Sequence, residues 1–205
     1  MTRELILASG NPGKLREYRS LLKELPVVVV PQSRYKVADA EETGLTFVEN
    51  ALLKARHAAS ETGRPAIADD SGIEVPALDG APGIFSARFA GARSSDSANN
   101  EKLLEVMRDL EGTDRSANFR CVIVYLRRAS DPAPIIAEGV WHGQILRAPR
   151  GSNGFGYDPL FFDPHEGATG AELDPARKNL ISHRGKAARL LRQKLMAGEG
   201  WSESE

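Results

Sequence analysis

The stretch that most constrains this chain begins with a short apolar run, Pro65 to Ala68, that ends in two adjacent carboxylates, Asp69 and Asp70. A small-residue segment follows, so that the sequence from Ala66 reads AIADDSGIEVPALDGAPGIFSARFA. The apolar run predicts a buried strand, with the aspartates at its C-terminal end, where open α/β sheets place their ligands. Side chains alternate along an extended chain, so Asp69 and Asp70 point to opposite sides. One of them can enter a cleft while the other anchors the loop. Asp-Asp-Ser-Gly is also good turn chemistry in its own right, so the dipeptide alone does not decide between a site and a turn.

Upstream, Glu4 to Ala8 reads as a first strand, and Lys14 to Leu25 carries apolar residues at a helical period. Between them lies Ser9-Gly10-Asn11-Pro12-Gly13-Lys14, a strand-to-helix turn. It gathers backbone N–H groups, the positive end of a helix and a lysine at one point, which is the chemistry of a phosphate site. It is not the common P-loop: too few residues separate the glycines, and Leu15 follows the lysine. Val27 to Val30 predicts a second buried strand closed by Pro31. Gln32 to Leu45, with Glu41-Glu42-Thr43-Gly44, reads as a polar, acidic loop. Thr46 and Glu49 then form a capping box for a helix from Phe47 to Glu61. This gives Glu49 a structural role beside any functional one. On that helix Asn50 and Lys54 share a face.

Beyond the central stretch, Asp96 is a good N-cap for a helix over Asn99 to Leu110. Ala117 to Arg128 and Ile135 to His142 predict an antiparallel strand pair, and Gly143 to Arg147 a further strand. In Gly154-Phe155-Gly156-Tyr157-Asp158-Pro159, glycines flank an aromatic. That lets backbone approach a flat ligand and lets Phe155 or Tyr157 stack on a base, although aromatic-glycine repeats also make ordinary sheet corners. Lys178 and Ser182-His183-Arg184 supply donors at the entrance to a helix running from His183 to Ala197, for which Ser182 is a natural N-cap. The predicted architecture is α/β: a long twisted mixed sheet flanked by helices, forming one domain over residues 1–197, with two lobes and an active-site cleft between them. Residues 198–205 form a polar tail.

With 205 residues, 41% of them hydrophobic and 27% charged, the chain can bury a substantial core. A net charge of −1 provides no global basic field, which argues against nucleic acid as a partner and requires local cations for any anionic ligand. Cys121 is the only cysteine and sits in an apolar run, so it predicts a buried thiol and no internal disulfide. There is no signal-peptide pattern or long apolar segment, so the expectation is no membrane and a cytoplasmic location. His57, His142, His165 and His183 lack zinc-type partners at short spacing, and no nucleophilic triad is suggested locally.

Five stretches together resemble the inosine triphosphate pyrophosphatase family of house-cleaning nucleotide hydrolases. They are the Ser9 to Lys14 turn; TGLTFVENALLKA from Thr43; Asp69-Asp70-Ser71-Gly72 with Ala81-Pro82-Gly83 and Ser86-Ala87-Arg88; Gly154 to Pro159; and Lys178 with Ser182-His183-Arg184. They occur in the family's order and span nearly the whole chain. The resemblance implies hydrolysis of noncanonical purine nucleoside triphosphates (dITP, ITP, XTP and dXTP) to the monophosphate and pyrophosphate. It implies that Ser9, Gly10, Asn11, Pro12, Gly13 and Lys14 hold the triphosphate and that Ser71 contacts the substrate. It assigns the base to Phe155, Gly156, Tyr157 and Asp158, and further nucleotide contacts to Lys178, His183 and Arg184. By the same resemblance Asp70, rather than Asp69, binds Mg²⁺ and activates water, Glu41 helps to hold the metal, and the protein is a homodimer. His183 and Arg184, as donors, suit a purine with a 6-keto acceptor. A pyrimidine-directed pyrophosphatase of similar architecture and a non-catalytic nucleotide sensor are the alternatives.

Overall fold

A computed structural model describes residues 3–199. Its strands form one mixed seven-stranded sheet in the order β2-β1-β3-β4-β5-β6-β7. These are β1 (Arg3–Leu7), β2 (Val27–Pro31), β3 (Ala66–Glu74), β4 (Ser116–Leu126), β5 (Ile135–Ile145), β6 (Phe161–Asp163) and β7 (Ala168–Thr169). β1 runs parallel to β2, with Leu5 opposite Val29, and parallel to β3, with Leu7 opposite Ile67. At the other edge β6 is antiparallel to both β5 and β7. The helices are α1 (Pro12–Leu21), α2 (Phe47–Thr62), α3 (Asp96–Val106), α4 (Pro175–Ile181) and α5 (His183–Lys194). The predicted α/β class and mixed sheet are therefore present.

The chain forms two compact units. The first runs to Asp70 and takes in Cys121–Gly139 and the chain from Arg184 onward; the second comprises Ser71–Arg120 and Val140–His183. In the first unit, strand alternation divides the core in two. Leu5, Leu7, Ile67, Cys121, Ile123 and Tyr125 pack with Tyr18 and Leu22 and with Ala187, Ala188 and Leu191 of α5. Ile6, Ala8, Ala66, Ala68, Val124 and Leu126 pack instead with Ala51, Ala55, Ala58 and Ala59 of α2. Strands buried on both faces read as unbroken apolar runs, as in parallel sheets generally. An alanine face on α2 combines high helix propensity with side chains small enough for close packing on the sheet. The second unit has its own core, in which Leu103 and Met107 meet Phe119, Trp141, Tyr157 and Phe161.

Several boundaries differ from the sequence expectation for identifiable reasons. Asp-Asp-Ser-Gly is not a turn: β3 continues through it to Glu74. α1 stops at Leu21, where the Leu22 N–H caps onto the Tyr18 carbonyl; Leu22 and Leu25 keep their apolar spacing because both are buried in the turn that follows. α3 is capped by Ser95, whose side chain accepts from the Ala98 N–H, and not by Asp96. It also ends before the predicted Leu110. There the buried Arg115 guanidinium takes the carbonyls of Met107 (2.7 Å) and Leu110 (3.4 Å) along with those of Ile145 (2.8 Å) and Leu146 (3.0 Å). The separate strand expected from Gly143 is the end of β5. The acidic loop opens with a 3₁₀ turn over Gln32–Tyr35. The predicted polar tail lies outside the described residues from residue 200 on.

The connection between β4 and β5 is built on Asp131. Its buried carboxylate accepts from the Arg127 N–H (3.0 Å), Arg127 Nε (2.8 Å) and Nη2 (2.7 Å), and the Ala133 N–H (3.1 Å). The Arg127 hydrogen bond, helped by the two backbone donors, holds the carboxyl far below the ordinary carboxylate range against the opposing effect of burial. A depressed folded-state pKa contributes stability that is present above the unfolded pKa and is lost as pH falls through the acid range. Asp131→Asn is expected to destabilise the protein by about 1.5–3 kcal/mol near neutrality. The gap between its melting temperature and that of the wild type should stay constant from about pH 7 down to about pH 5 and begin to narrow only below about pH 4, as the unfolded chain starts to take up the proton.

Candidate active site

The strand-to-helix turn after β1 is organised by Asn11. Its Oδ1 accepts from the N–H groups of Gly13 (2.7 Å) and Lys14 (3.2 Å), while Ser9 Oγ accepts from the Asn11 N–H (3.2 Å) and Pro12 occupies the first helical turn. The amides expected to face a phosphate are thus capped by Asn11 in this state. Lys14 and the helix end supply the positive charge. A side chain on Gly10 would come within 3.4 Å of the Asp39 carboxylate. Lys14 Nζ lies 2.9 Å from Asp69 Oδ2.

Asp69 continues the face of Ile67 and Cys121, and its side chain is fully buried. Besides Lys14 it receives Arg184 Nη2 at 3.3 Å and Nε at 3.4 Å, with Cys121 Sγ at 3.9 Å. Arg184 Nη1 donates to Glu17 at 2.6 Å. The result is a buried four-charge cluster of two cations and two anions. Burial pushes Arg184 down, but Asp69 and Glu17 more than offset it, so the guanidinium is held firmly charged. The neighbouring Tyr18 hydroxyl is driven well above its usual range by burial and then by the Asp69 charge.

Asp70 continues the face of Ala66 and Ala68, toward α2. Lys54 Nζ is 3.0 Å from Asp70 Oδ1 and 2.7 Å from Glu42 Oε1, and Asn50 Nδ2 donates to Asp70 Oδ2 at 3.3 Å. Burial raises the Asp70 pKa; Lys54 opposes this and Glu42 reinforces it. For Lys54, burial pulls downward, but Asp70 and Glu42 outweigh it and the ammonium is stabilised. The Thr46 cap forms as expected: Thr46 Oγ1 accepts from the Glu49 N–H (3.3 Å), and Glu49 Oε2 accepts from the Leu45 N–H (2.8 Å) and from Thr46 Oγ1 (2.9 Å). This occupies Glu49 structurally. Glu41 is exposed and makes no hydrogen bond or ion pair with any described residue; it is Glu42 that reaches the Asp70 side through Lys54. Ser71, half-buried, follows Asp70 on β3.

In the second unit the Gly154–Pro159 loop closes around Asp158. Gly154 has φ +78°, and a Cβ there would lie 2.1 Å from Asp158 Oδ2; one on Gly170 would lie 2.8 Å from Oδ1. The buried Asp158 carboxylate accepts from the Phe155 N–H (2.8 Å) and from Lys178 Nζ (2.5 Å), and the Lys178 ammonium stands 5.1 Å from the Phe155 ring centre. Gly156 is held at both ends, its N–H on Asp96 (2.7 Å) and its carbonyl on Asn100 Nδ2 (2.9 Å). Tyr157 is buried and donates its hydroxyl to the Ser86 carbonyl at 2.8 Å, which leaves half-buried Phe155 as the aromatic able to stack on a ligand. His183 is buried with its ring stacked 4.6 Å from Phe119, interplanar angle 11°. Ser182, expected as the cap of α5, stands immediately before that helix in an extended conformation and also closes α4, with its N–H on the Lys178 carbonyl.

Most predicted residues are therefore brought into two sets, one around Asp69 and Asp70 and one around Asp158. His183 and Arg184, expected to act as one donor pair, have separate surroundings: Arg184 joins Asp69 and Glu17, whereas His183 stacks on Phe119. Residues that sequence reading did not assign are Glu17, Glu42, Asn50 and Lys54. The last two were signalled by their shared helix face. Among the described residues no group of three or more His, Cys, Asp or Glu is arranged to hold a metal. A divalent cation would therefore draw on Asp70 and Glu42, which flank the Lys54 ammonium, and on ligand oxygens. Such a hard-oxygen donor set suits Mg²⁺.

A glycine-bearing strand-to-helix turn with a lysine, a paired-carboxylate strand and a lysine-gated aromatic loop on a mixed α/β sheet define a nucleotide-directed class of protein. The chain belongs to the Ham1 family, whose model matches residues 5–194. It is 57% identical over 195 residues to a dITP/XTP pyrophosphatase of Xanthomonas campestris pv. campestris, covering 95% of this chain and 98% of that protein. A dITP/XTP pyrophosphatase of Vibrio cholerae is 56% identical, covering 92% and 94%. Among solved structures, a HAM1 protein from Coxiella burnetii superposes with a TM-score of 0.88 at 52% identity, covering 95% of this chain and 99% of the other. A nucleoside-triphosphatase / dITP/XTP pyrophosphatase from Mycobacterium abscessus gives 0.74 at 39%, covering 92% and 98%.

Removing one member of a buried ion cluster strands the others. Asp69→Asn leaves Lys14 and Arg184 with less than their counter-charge and is expected to cost about 3–5 kcal/mol. Urea unfolding at neutral pH should register that loss as a lower midpoint.

Proposed function

We propose that this chain hydrolyses noncanonical purine nucleoside triphosphates, dITP, ITP and XTP, to the monophosphate and pyrophosphate. The observation that carries the mechanism is the environment of Asp70, a buried carboxylate whose proton affinity is raised by burial and which is held by Asn50 and Lys54. A carboxylate with raised basicity is suited to take the proton of an attacking water. The water oxygen adds to the α-phosphorus, its proton passes to Asp70, the bond to the α,β-bridging oxygen breaks, and pyrophosphate leaves. Lys14, held at the turn by Asp69, and Ser9 to Gly13 face the phosphates, with Ser71 contributing a further contact. Mg²⁺, when bound to Asp70 and a neighbouring glutamate, would neutralise phosphate charge. Glu42 is better placed than Glu41 for that part, because it already shares Lys54 with Asp70.

The base is assigned to the second set. Phe155 offers the ring face, Gly156 and Asp158 shape the loop, Tyr157 pins it, and Lys178 and His183 supply donors to a 6-keto oxygen. Arg184, which commits Nε and Nη2 to Asp69 and Nη1 to Glu17, is the third cationic or imidazole group of this reading. No helix among the described residues is long and apolar enough to cross a membrane. A cytoplasmic homodimer completes the reading, in keeping with the family resemblance.

Incubation with ITP and Mg²⁺, followed by phosphorus NMR, should show pyrophosphate as the first product; early orthophosphate would replace this reading with a γ-phosphatase. Asp70→Asn should lower kcat by roughly 10²–10⁴-fold with the melting temperature little changed, and turnover near wild type would remove Asp70 from the chemistry. A site built to donate to a 6-keto group leaves donors facing the adenine amine, so kcat/KM for ITP should exceed that for ATP by up to about 10⁴-fold. Arg184→Ala should weaken ITP binding and narrow that ratio. An unchanged ratio with a lowered melting temperature would assign Arg184 to holding Asp69 alone. Comparable turnover of dUTP would favour the pyrimidine alternative.

A further inference from the structure

Asn50 neither takes the proton nor meets the phosphates in the chemistry described so far, yet it is completely buried, and both ends of its amide are engaged in a directional way. Oδ1 accepts from the Gly44 N–H at 2.8 Å, and Nδ2 donates to Asp70 Oδ2 at 3.3 Å. Its orientation is forced, since a backbone N–H can only donate and a carboxylate can only accept. Gly44 fits closely against it: a Cβ there would stand 2.6 Å from Glu49 Cβ, 2.8 Å from Asn50 Oδ1 and 3.0 Å from the Asn50 nitrogen. The Gly44 N–H is thus brought to the side chain only because position 44 carries none. One turn along α2, Lys54 links the same two partners a second time, through Glu42 of the acidic loop and the other oxygen of Asp70.

We propose that Asn50 is a positioning residue for hydrolysis, one that locks the acidic loop Glu41–Gly44 to the Asp70 carboxylate and fixes which way Asp70 presents its oxygens. The inference rests on the reading of Asp70 as the water-activating base. Lys54 is a long, flexible tie, whereas the Asn50 amide is short and buried, so Asn50 sets the geometry and Lys54 supplies charge. Outer partners that orient a reactive carboxylate typically act on turnover and leave substrate affinity nearly untouched.

The test compares wild type with Asn50→Leu, Asn50→Asp, Gly44→Ala and Asp70→Asn by ITP kinetics, equilibrium nucleotide binding and thermal melts, all assayed below the lowest melting temperature. Asn50→Leu is close in volume and removes both hydrogen bonds; kcat should fall about 10–100-fold while KM and nucleotide affinity stay within about threefold. Asn50→Asp retains the acceptor for Gly44 but loses the donor to Asp70 and should lose at least as much kcat. Gly44→Ala leaves Asn50 and Asp70 intact but pushes the loop off the amide; it should reproduce the kcat-selective loss, and the Asn50→Leu/Gly44→Ala double variant should fall short of the product of the two single effects. If Asn50→Leu does not fold, Asn50→Asp and Gly44→Ala decide. Variants that melt earlier but keep wild-type kcat would overturn the proposal and leave Asn50 as packing. Wild-type turnover in Asp70→Asn would instead remove the base on which the proposal rests, and the separate arm makes the two failures distinguishable.

Discussion

The structure depends on two adjacent carboxylates in the middle of a buried strand. β3 is extended through Asp69 and Asp70, so the strand's two-residue period sends one to the face packed by α1 and α5 and the other to the face packed by α2. An ionised carboxylate out of water is costly unless it is paired and hydrogen-bonded. That requirement recruits cations from distant parts of the sequence: Lys14 and Arg184 to Asp69, Lys54 to Asp70. Much of what the first unit must do, including the placing of the turn after β1 and the start of α5, follows from satisfying these two groups.

The sequence conveyed this frame unevenly, for physical reasons. β1, β2 and α2 were legible because their signals are local: apolar runs bounded by punctuation, and a Thr46–Glu49 cap that forms as expected. The opposite facing of Asp69 and Asp70 was legible from alternation alone. The turn reading of Asp-Asp-Ser-Gly failed because turn propensity is a local signal, and here the partners lie 16 to 115 positions away in sequence, in Lys54, Asn50 and Arg184. The same limit displaced the α3 cap. Asp96 is a good capping residue by type, but its carboxylate is taken by the Gly156 N–H 60 positions on, and Ser95 caps instead. Arg184 is the clearest case of chemistry without address: its donors were evident, but nothing near it in sequence announced Glu17.

The second unit solves the buried-carboxylate problem differently. Asp158 is enclosed by backbone, with glycines at 154 and 170 where any side chain would collide with its oxygens. It spends its lone pairs on the Phe155 N–H and the Lys178 ammonium. The glycines flanking Phe155 therefore serve partly to let a carboxylate, not only a flat ligand, approach the chain. Tyr157, which looked like a second stacking surface, is a bolt whose hydroxyl is fixed on Ser86. Aromatic and glycine content pointed to the right loop but could not say which aromatic is spent on holding it.

The two adjacent aspartates meet different charge surroundings. In the cluster of Asp69, Glu17, Lys14 and Arg184, each charge is in direct contact with an opposite one. Around Asp70, the Glu42 carboxylate draws on the same Lys54 ammonium that Asp70 does. Burial cannot be tolerated by such a group without some accommodation, and the raised proton affinity of Asp70 is its visible form. The Asp69 carboxylate is thus held between two cations, while the Asp70 carboxylate shares an ammonium with a second carboxylate.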